Sequence, residues 1–380
     1  MRNGYIVLND IHYGVGKVPS NLITLSLKNT LNNYDLKASP IHTIYIAGDL
    51  TDKLLLNTSE AYKDMMDFGM FLGRYCEEHD IKLRMLEGTP LHDRGQMSLF
   101  EKAYSSFDID FKYINDIHIE YRKDLDAHIL YVPDEIRPTA VETEDAIRKL
   151  MKKIKIDKVE TAIIHGMFTY QMPYESDKKL SEDFFLSIVN GHIHIGHIHQ
   201  YSNLDRIYAG GSWDRVSQND DGKKGGTVTT YSNITKTYVT KRLYNKYSTP
   251  FVTVKVKDTF NPVELAEEIM QKAYRQSSMP VKINVRILSK NKSTANVIEY
   301  LPFKFHFDIS VEDEVKPKKL QSSDEEEGIY NEVKRTQFNI NESTLFSLIT
   351  DKAGMTFEEI ELLKEEFSRN EVLSKALPKS

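Results

Sequence analysis

What this chain lacks narrows it first. Among its 380 residues there is a single cysteine, Cys76, which excludes an internal disulfide framework and points to a reducing compartment, with the cytoplasm as the expected location. No run approaches the roughly 20 apolar residues that a membrane span needs. The opening MRNGYIVLND also has no apolar core of a secretory signal. An excess of positive charge is missing too. The 50 Lys+Arg against 56 Asp+Glu give −6, so no global basic field announces nucleic acid, although metal ions can offset carboxylates at a phosphate site. There is no internal repeat of solenoid length. At about 100–200 residues per domain, the chain should hold more than one.

What is present is concentrated in Val189–His199, VNGHIHIGHIH, where four histidines fall within eight residues. Neutral imidazole is the commonest metal ligand in proteins. Residues two apart on an extended segment point the same way, so each His-Ile-His pair offers two nitrogens to one site. An ordinary half-buried strand would also alternate in this way, but the rest of the chain supplies partners for a site. The apolar run Tyr5–Leu8 ends in Asn9-Asp10-Ile11-His12, and Thr43–Ala47 ends in Gly48-Asp49-Leu50-Thr51-Asp52. Lys82–Leu86 ends in Glu87-Gly88-Thr89-Pro90-Leu91-His92-Asp93, and Val159–Ile164 ends in His165-Gly166. A buried strand that runs abruptly into polar residues is where open α/β sheets place their ligands. Gly48 permits a tight turn that leaves Asp49 at the strand tip. A histidine followed by an aspartate, as at His92-Asp93, suits acid–base work or phosphate stabilisation, the carboxylate fixing the ring.

Helices are expected over 60–79, over 141–154, and over 181–189 with Ser181 as N-cap, and residues 111–134 read as antiparallel strands. Asn190-Gly191 stops the short helix. That makes 192–195 the strand and 196–199 its exit loop, which favours His197 and His199 as the ligands, with His192 and His194 as the alternative register. Asp52 reads as a structural residue of the loop after Asp49.

In order, Asp-x-His, Gly-Asp-x-x-Asp, His-Asp, His-Gly and Gly-His-x-His each follow an apolar strand. This order resembles the calcineurin-like metallophosphoesterase superfamily over residues 5 to about 215. The run GHIHQYSNLDRIYAGGSWDR is similar to phage and bacterial members related to SbcD, the nuclease subunit of a DNA-repair complex; for a phage protein the compartment would be the host cytoplasm. The resemblance implies an α/β fold, a four-layer β-sandwich flanked by helices, with two divalent metals at the strand tips. It gives Asp10 and His12 to one metal, Asp49 to both, and His165 and His197 to the second, and it returns His199 to the first. It puts His92, with Asp93 beside it, at the scissile phosphate to stabilise or protonate the leaving oxygen. The reaction implied is phosphodiester hydrolysis by metal-bound hydroxide, since two cations about 3.5–4 Å apart clamp both sides of an in-line displacement. Asp/His ligation without thiolate suits Mn²⁺, Fe²⁺ or Zn²⁺, with Mn²⁺ the expected ion. One departure stands out. The family reads Gly-Asn-His-Asp or Gly-Asn-His-Glu, the Asn binding the second metal, where this chain has GTPLHD, so Thr89 or water must fill that place or the second site is weak.

The remainder reads as a metallophosphoesterase domain over 1–240, a small α/β domain over 247–311, a charged linker over 312–340 and a helical segment over 341–380. Phe251–Val256 and Val281–Leu288 alternate in period two around a helix that starts at Asn261-Pro262. The resemblance makes this strand–helix–strand piece a capping domain along a DNA path. The final helices, one opening with the capping box Thr356-x-x-Glu359, would grip an SbcC-type coiled-coil ATPase, with the nuclease subunit as a homodimer. Two rivals share the fold: a stand-alone phosphodiesterase or phosphatase on small phosphoesters, and a catalytically inactive scaffold.

Overall fold

This computed structural model describes residues 4–220, 222–232, 237–256 and 260–313. The helices expected over 341–380 and nearly all of the linker lie outside these residues. The first half runs β1 (Gly4–Leu8), α1 (Ser20–Asn32), β2 (Ile41–Ala47), α2 (Glu60–His79), β3 (Lys82–Leu86), α3 (Leu99–Ala103), β4 (Phe111–Ile114), β5 (His118–Arg122), β6 (Ala127–Val132) and α4 (Ala140–Ile154). Then come β7 (Thr161–His165), α5 (Glu182–Ile188), β8 (Ile193–Gly196), β9 (Ser202–Leu204), β10 (Ile207–Ala209), β11 (Gly225–Ser232) and β12 (Thr237–Tyr244). The last elements are β13 (Phe251–Lys255), α6 (Pro262–Gln276), β14 (Lys282–Leu288) and β15 (His306–Glu312).

Twelve of these strands form two six-stranded sheets, ordered β12-β11-β1-β2-β3-β4 and β5-β6-β7-β8-β10-β9. β1 to β4 run parallel, as do β6, β7, β8 and β10. Parallel strands are covered on both faces and therefore read as continuous apolar runs. Period-two alternation divides each run between two cores. Ile6 and Leu8 of β1 pack with Ile23 and Leu27 of α1 and Phe68 and Leu72 of α2, while Tyr5 and Val7 meet Tyr131 and Ile163 of the other sheet. On the far side, Leu130, Val132 and Ile164 pack with Ile147 and Met151 of α4 and Phe184 and Phe185 of α5. The result is the expected α/β sandwich, with helices, two sheets and helices in four layers. Each fully buried side chain of this kind contributes roughly 1.5–3 kcal/mol.

Caps set the helix starts: Ser59 accepts from Tyr62 N and Ser181 from Phe184 N, both at 3.2 Å. The strands over 111–134 are not one antiparallel run. β4 pairs parallel with β3 in the first sheet, and β5 and β6 pair antiparallel in the second. The Asn115-Asp116 turn carries the chain from one sheet to the other, a step that strand alternation cannot distinguish from a hairpin. The two sheets are also tied by charge. Arg84 of β3 reaches Glu120 of β5 with Nε–Oε2 2.9 Å and Nη2–Oε1 2.7 Å, and Tyr131 OH donates to Oε2 at 2.8 Å.

The chain groups into two compact units. Among the described residues, one takes in those up to Thr253 together with Ile269–Asn284, and the other those of Val254–Glu268 and from Val285 to Asp313. Residues 247–253 and 269–284, read from the sequence with the 247–311 segment, thus group with the first unit. In the second unit Val256 N donates to Leu288 O at 3.0 Å, and Arg286 Nε donates to Glu312 Oε2 at 2.7 Å. Among the described residues no helix is long and apolar enough to cross a membrane.

Candidate metal centre

The C-terminal ends of β1, β2, β3, β7 and β8 deliver Asp10 and His12, Asp49, His92, His165, and His197 and His199 to one edge of the sandwich. The loops there are laced by backbone bonds. Ile11 N and His12 N donate to Asp49 O at 2.9 and 3.0 Å, and Asp10 N donates to Gly48 O at 3.2 Å. His197 N donates to Asp10 Oδ1 at 2.9 Å, and Asn9 Nδ2 donates to Asp10 Oδ2 at 2.7 Å. Four of these residues hold left-handed backbone: Asp10 (φ 50°), His12 (57°), Asp49 (50°) and His197 (101°). Strained backbone of this kind clusters at functional sites. Gly48 (φ 85°) belongs to the same set, and a Cβ there would overlap the His165 ring.

Among the described residues, three sets of side chains bring one ligand atom from each member within 4.8 Å of the others: Asp10–His12–His199, His12–Asp49–His92 and Asp49–His165–His197. These buried His/Asp groups can hold a metal ion. The donor chemistry fits. His165 Nδ1 bonds to Ala47 O at 2.7 Å, so it carries the proton, and the lone pair of Nε2 faces Asp49 Oδ2 at 3.3 Å. That Nε2 is buried and has no hydrogen-bond partner. An imidazole whose far nitrogen is pinned to a carbonyl, with its near nitrogen aimed at a carboxylate, is the arrangement of a metal-ligating histidine. His12 Nε2 and His199 Nε2 converge at 2.9 Å, and His199 Nε2 lies 3.8 Å from Asp10 Oδ1. Asp52 stands behind His12, its Oδ1 3.7 Å from His12 Nδ1.

The electrostatics of the metal-free chain agree. Burial would raise Asp49, but the imidazoles of His165, His92 and His12 hold it below the usual carboxylate range. Burial would lower His165, but the charge of Asp49 keeps it well above the usual imidazole range, so this position favours positive charge. His12 is pushed down by burial and then by His199. The hydrogen bond from His92 Nδ1 to Asp49 Oδ2, 2.8 Å, raises His92.

Asp93 requires a correction. It does not orient the His92 ring, which pairs with Asp49 instead. Its buried carboxylate accepts from the backbone N–H groups of Asp49 (2.9 Å) and Gly88 (2.8 Å) on Oδ2 and of Thr51 (2.9 Å) on Oδ1. Asp93 is therefore a clamp between the loops after β2 and β3. Burial and the Asp49 charge push it up to about 7, against those bonds; every backbone group facing it is a donor, so the geometry accommodates the carboxylate.

The alternative histidine register does not reach this edge. His194 lies between the sheets, with Nδ1 3.1 Å from Thr227 Oγ1 and Nε2 3.1 Å from Tyr5 OH, and His192 Nδ1 bonds to Thr240 Oγ1 at 2.8 Å. His197 and His199 occupy the exit loop. Thr89 does stand at the missing Asn: its N–H donates to Asp49 Oδ1 at 2.7 Å. A residue that sequence reading passes over stands opposite. Asp134, just past β6, has Oδ2 3.3 Å from His197 Nδ1. Its signal is present, since Tyr131-Val132-Pro133-Asp134 also ends an apolar strand in a carboxylate, but Pro-Asp-Glu reads as a plain turn.

A scan against protein-family models finds no match, and no curated protein matches the chain. Among solved structures, the crystal structure of TT1561 of Thermus thermophilus is similar at a TM-score of 0.34 and 8% identity, covering 64% of this chain and 100% of that one. A second crystal structure gives a TM-score of 0.37 and 8% identity with the same coverage. At these scores neither likeness bears on the site, whose reading rests on its own geometry.

Proposed function

We propose that this chain is a metal-dependent nuclease, hydrolysing DNA phosphodiesters as an SbcD-like subunit that pairs with itself and with a coiled-coil ATPase. The observation that carries the reading is Asp49, whose Oδ2 lies 3.9 Å from His12 Nε2 on one side and 3.3 Å from His165 Nε2 on the other. A carboxylate shared by two neighbouring ligand sets suits a pair of cations. When bound, such a pair supplies Lewis-acid charge on both sides of an in-line displacement at phosphorus. Asp10, His12 and His199 would hold one cation and His165 and His197 the other, with Asp49 between; carboxylate and imidazole donors without thiolate suit Mn²⁺, Fe²⁺ or Zn²⁺, and Mn²⁺ is the ion proposed.

His92 does the proton work. Its Nδ1 is tied to Asp49, and its side chain is 32% exposed, which leaves Nε2 to hold a proton for the leaving oxygen. Asp93 keeps Asp49 and Gly88 in register, and Thr89 N–H steadies the Asp49 carboxylate. DNA as substrate, the capping role of residues 247–311 and the grip of 341–380 on an ATPase rest on the resemblance of the GHIHQYSNLDRIYAGGSWDR run. The test is cleavage of linear and hairpin DNA with each divalent cation, with and without the ATPase. Mn²⁺-dependent cleavage that falls about 10²–10⁴-fold in His92→Ala and vanishes in Asp49→Ala is expected. Intact cleavage in both variants refutes the mechanism. Turnover of small phosphodiesters with none of DNA moves the activity to the small-substrate class.

A further inference from the structure

We propose that Asp134 is a ligand of the second cation, taking the place of the absent amide; this rests on the two-cation reading above. The argument begins at the Thr89 hydroxyl. Its Oγ1 lies 3.2 Å from Asp49 Oδ2, 3.1 Å from Asp134 Oδ2 and 3.2 Å from His197 Nδ1. A hydroxyl carries one proton, so it satisfies at most one of the two carboxylates. The other carboxylate oxygen and the imidazole nitrogen face the same small space, where without a cation the His197 Nδ1 proton, 3.3 Å from Asp134 Oδ2, is what remains to pair them.

Asp134 is poorly placed to be solvated instead. Its side chain is 11% exposed, and a carboxylate held out of water needs a positive partner. One oxygen is already used, since Oδ1 accepts from Glu135 N at 2.9 Å. The other, Oδ2, is the one turned towards Thr89 and His197. The backbone explains the aim. β6 and β7 run parallel with Val132 beside Ile164, so Asp134 leaves its strand next to His165, and a Cβ on Gly166 would lie 3.3 Å from Asp134 Oδ1. With Asp134 included, the second set becomes two carboxylates and two imidazoles, with the Thr89 hydroxyl alongside. A carboxylate in place of a neutral amide adds a full negative charge to that set and so strengthens its hold on a dication.

The experiment is a Mn²⁺ titration of the full chain after chelation, read as stoichiometry by calorimetry and as spin coupling between paired ions by electron paramagnetic resonance. Anomalous diffraction from Mn²⁺-soaked crystals accompanies it. The wild type is expected to bind two equivalents. In Asp134→Ala and Asp134→Asn the second should weaken by about tenfold or more and the coupled signal should fade, with the first equivalent unchanged. The asparagine variant can still accept a hydrogen bond from His197, so its unaltered affinity would make Asp134 a positioning residue and overturn the proposal. So would a Mn²⁺ peak beyond coordination distance, about 2.2 Å, of Asp134 Oδ2. A wild type that binds one equivalent also overturns it, and one that binds none removes the underlying reading as well. Equal thermal unfolding of the metal-free proteins controls for folding.

Discussion

The Asp93 clamp allows a worked prediction. Asp93→Ala leaves the buried N–H groups of Asp49, Thr51 and Gly88 without their acceptor. Each such donor costs about 1–3 kcal/mol, which sums to roughly 3–9 kcal/mol against a domain stability of about 5–15 kcal/mol. Asp93→Asn is milder. Its single oxygen can keep the two bonds that share Oδ2, but its NH₂ then opposes Thr51 N–H, for a cost of about 1–3 kcal/mol. The assay is urea unfolding of chelated protein at pH 8, so that cation binding does not mask the difference and the carboxylate is ionised above its value of about 7. Wild type, Asn and Ala should fall in that order of midpoint at equal slope. An Ala variant within about 0.5 kcal/mol of wild type, the range of an ordinary surface change, would refute the clamp.

Further outcomes follow from the same geometry. Gly88→Ala puts a Cβ onto Asp49 N and Oδ1, so it should abolish Mn²⁺ binding by calorimetry while far-ultraviolet dichroism stays native; retained binding would contradict the close approach. His197→Ala should weaken Mn²⁺ by about tenfold or more with little change in metal-free stability. His194→Ala should do the reverse, destabilising the sandwich by about 1–3 kcal/mol through the hydroxyls it leaves behind; swapped phenotypes would reinstate the alternative histidine register. Glu120 is held at about 2, below its ordinary 4.5: burial opposes this, and the bonds from Arg84 outweigh it. A depressed carboxylate lends stability above its unfolded value and loses it as pH falls through its folded one, so up to about 3 kcal/mol should disappear between pH 4.5 and 2. Glu120→Gln should flatten that acid limb in denaturant melts, and an unchanged limb would show that the pair contributes nothing.

The site was legible in the sequence because its ligands sit where apolar runs stop. Asp10 and Asp49 follow largely apolar strands and His165 closes one, so the break in character marked them. The histidine register was legible through a helix stop, Asn190-Gly191, rather than through the histidines themselves. Three things were not legible. Asp93 and Asp134 are both carboxylates in loops, and only their three-dimensional neighbours separate a clamp of backbone N–H groups from a candidate ligand. Arg84 lies inside an apolar strand, and its partner Glu120 is in another sheet, a pairing that no local pattern encodes. The switch between sheets after β4 escaped for a similar reason, since a short turn can close a hairpin or launch a crossover with the same residues.

The left-handed backbone at Asp10, His12, Asp49 and His197 sets a limit on engineering this protein. Each such residue costs of order 1–3 kcal/mol, a sizeable share of what holds a domain folded. Glycine or asparagine would relax several of these positions, so a screen that rewards heat tolerance alone will drift towards replacing the carboxylates and imidazoles it ought to keep. Sturdiness and cation binding pull in opposite directions at these four residues, and thermostabilising changes belong in the helices instead.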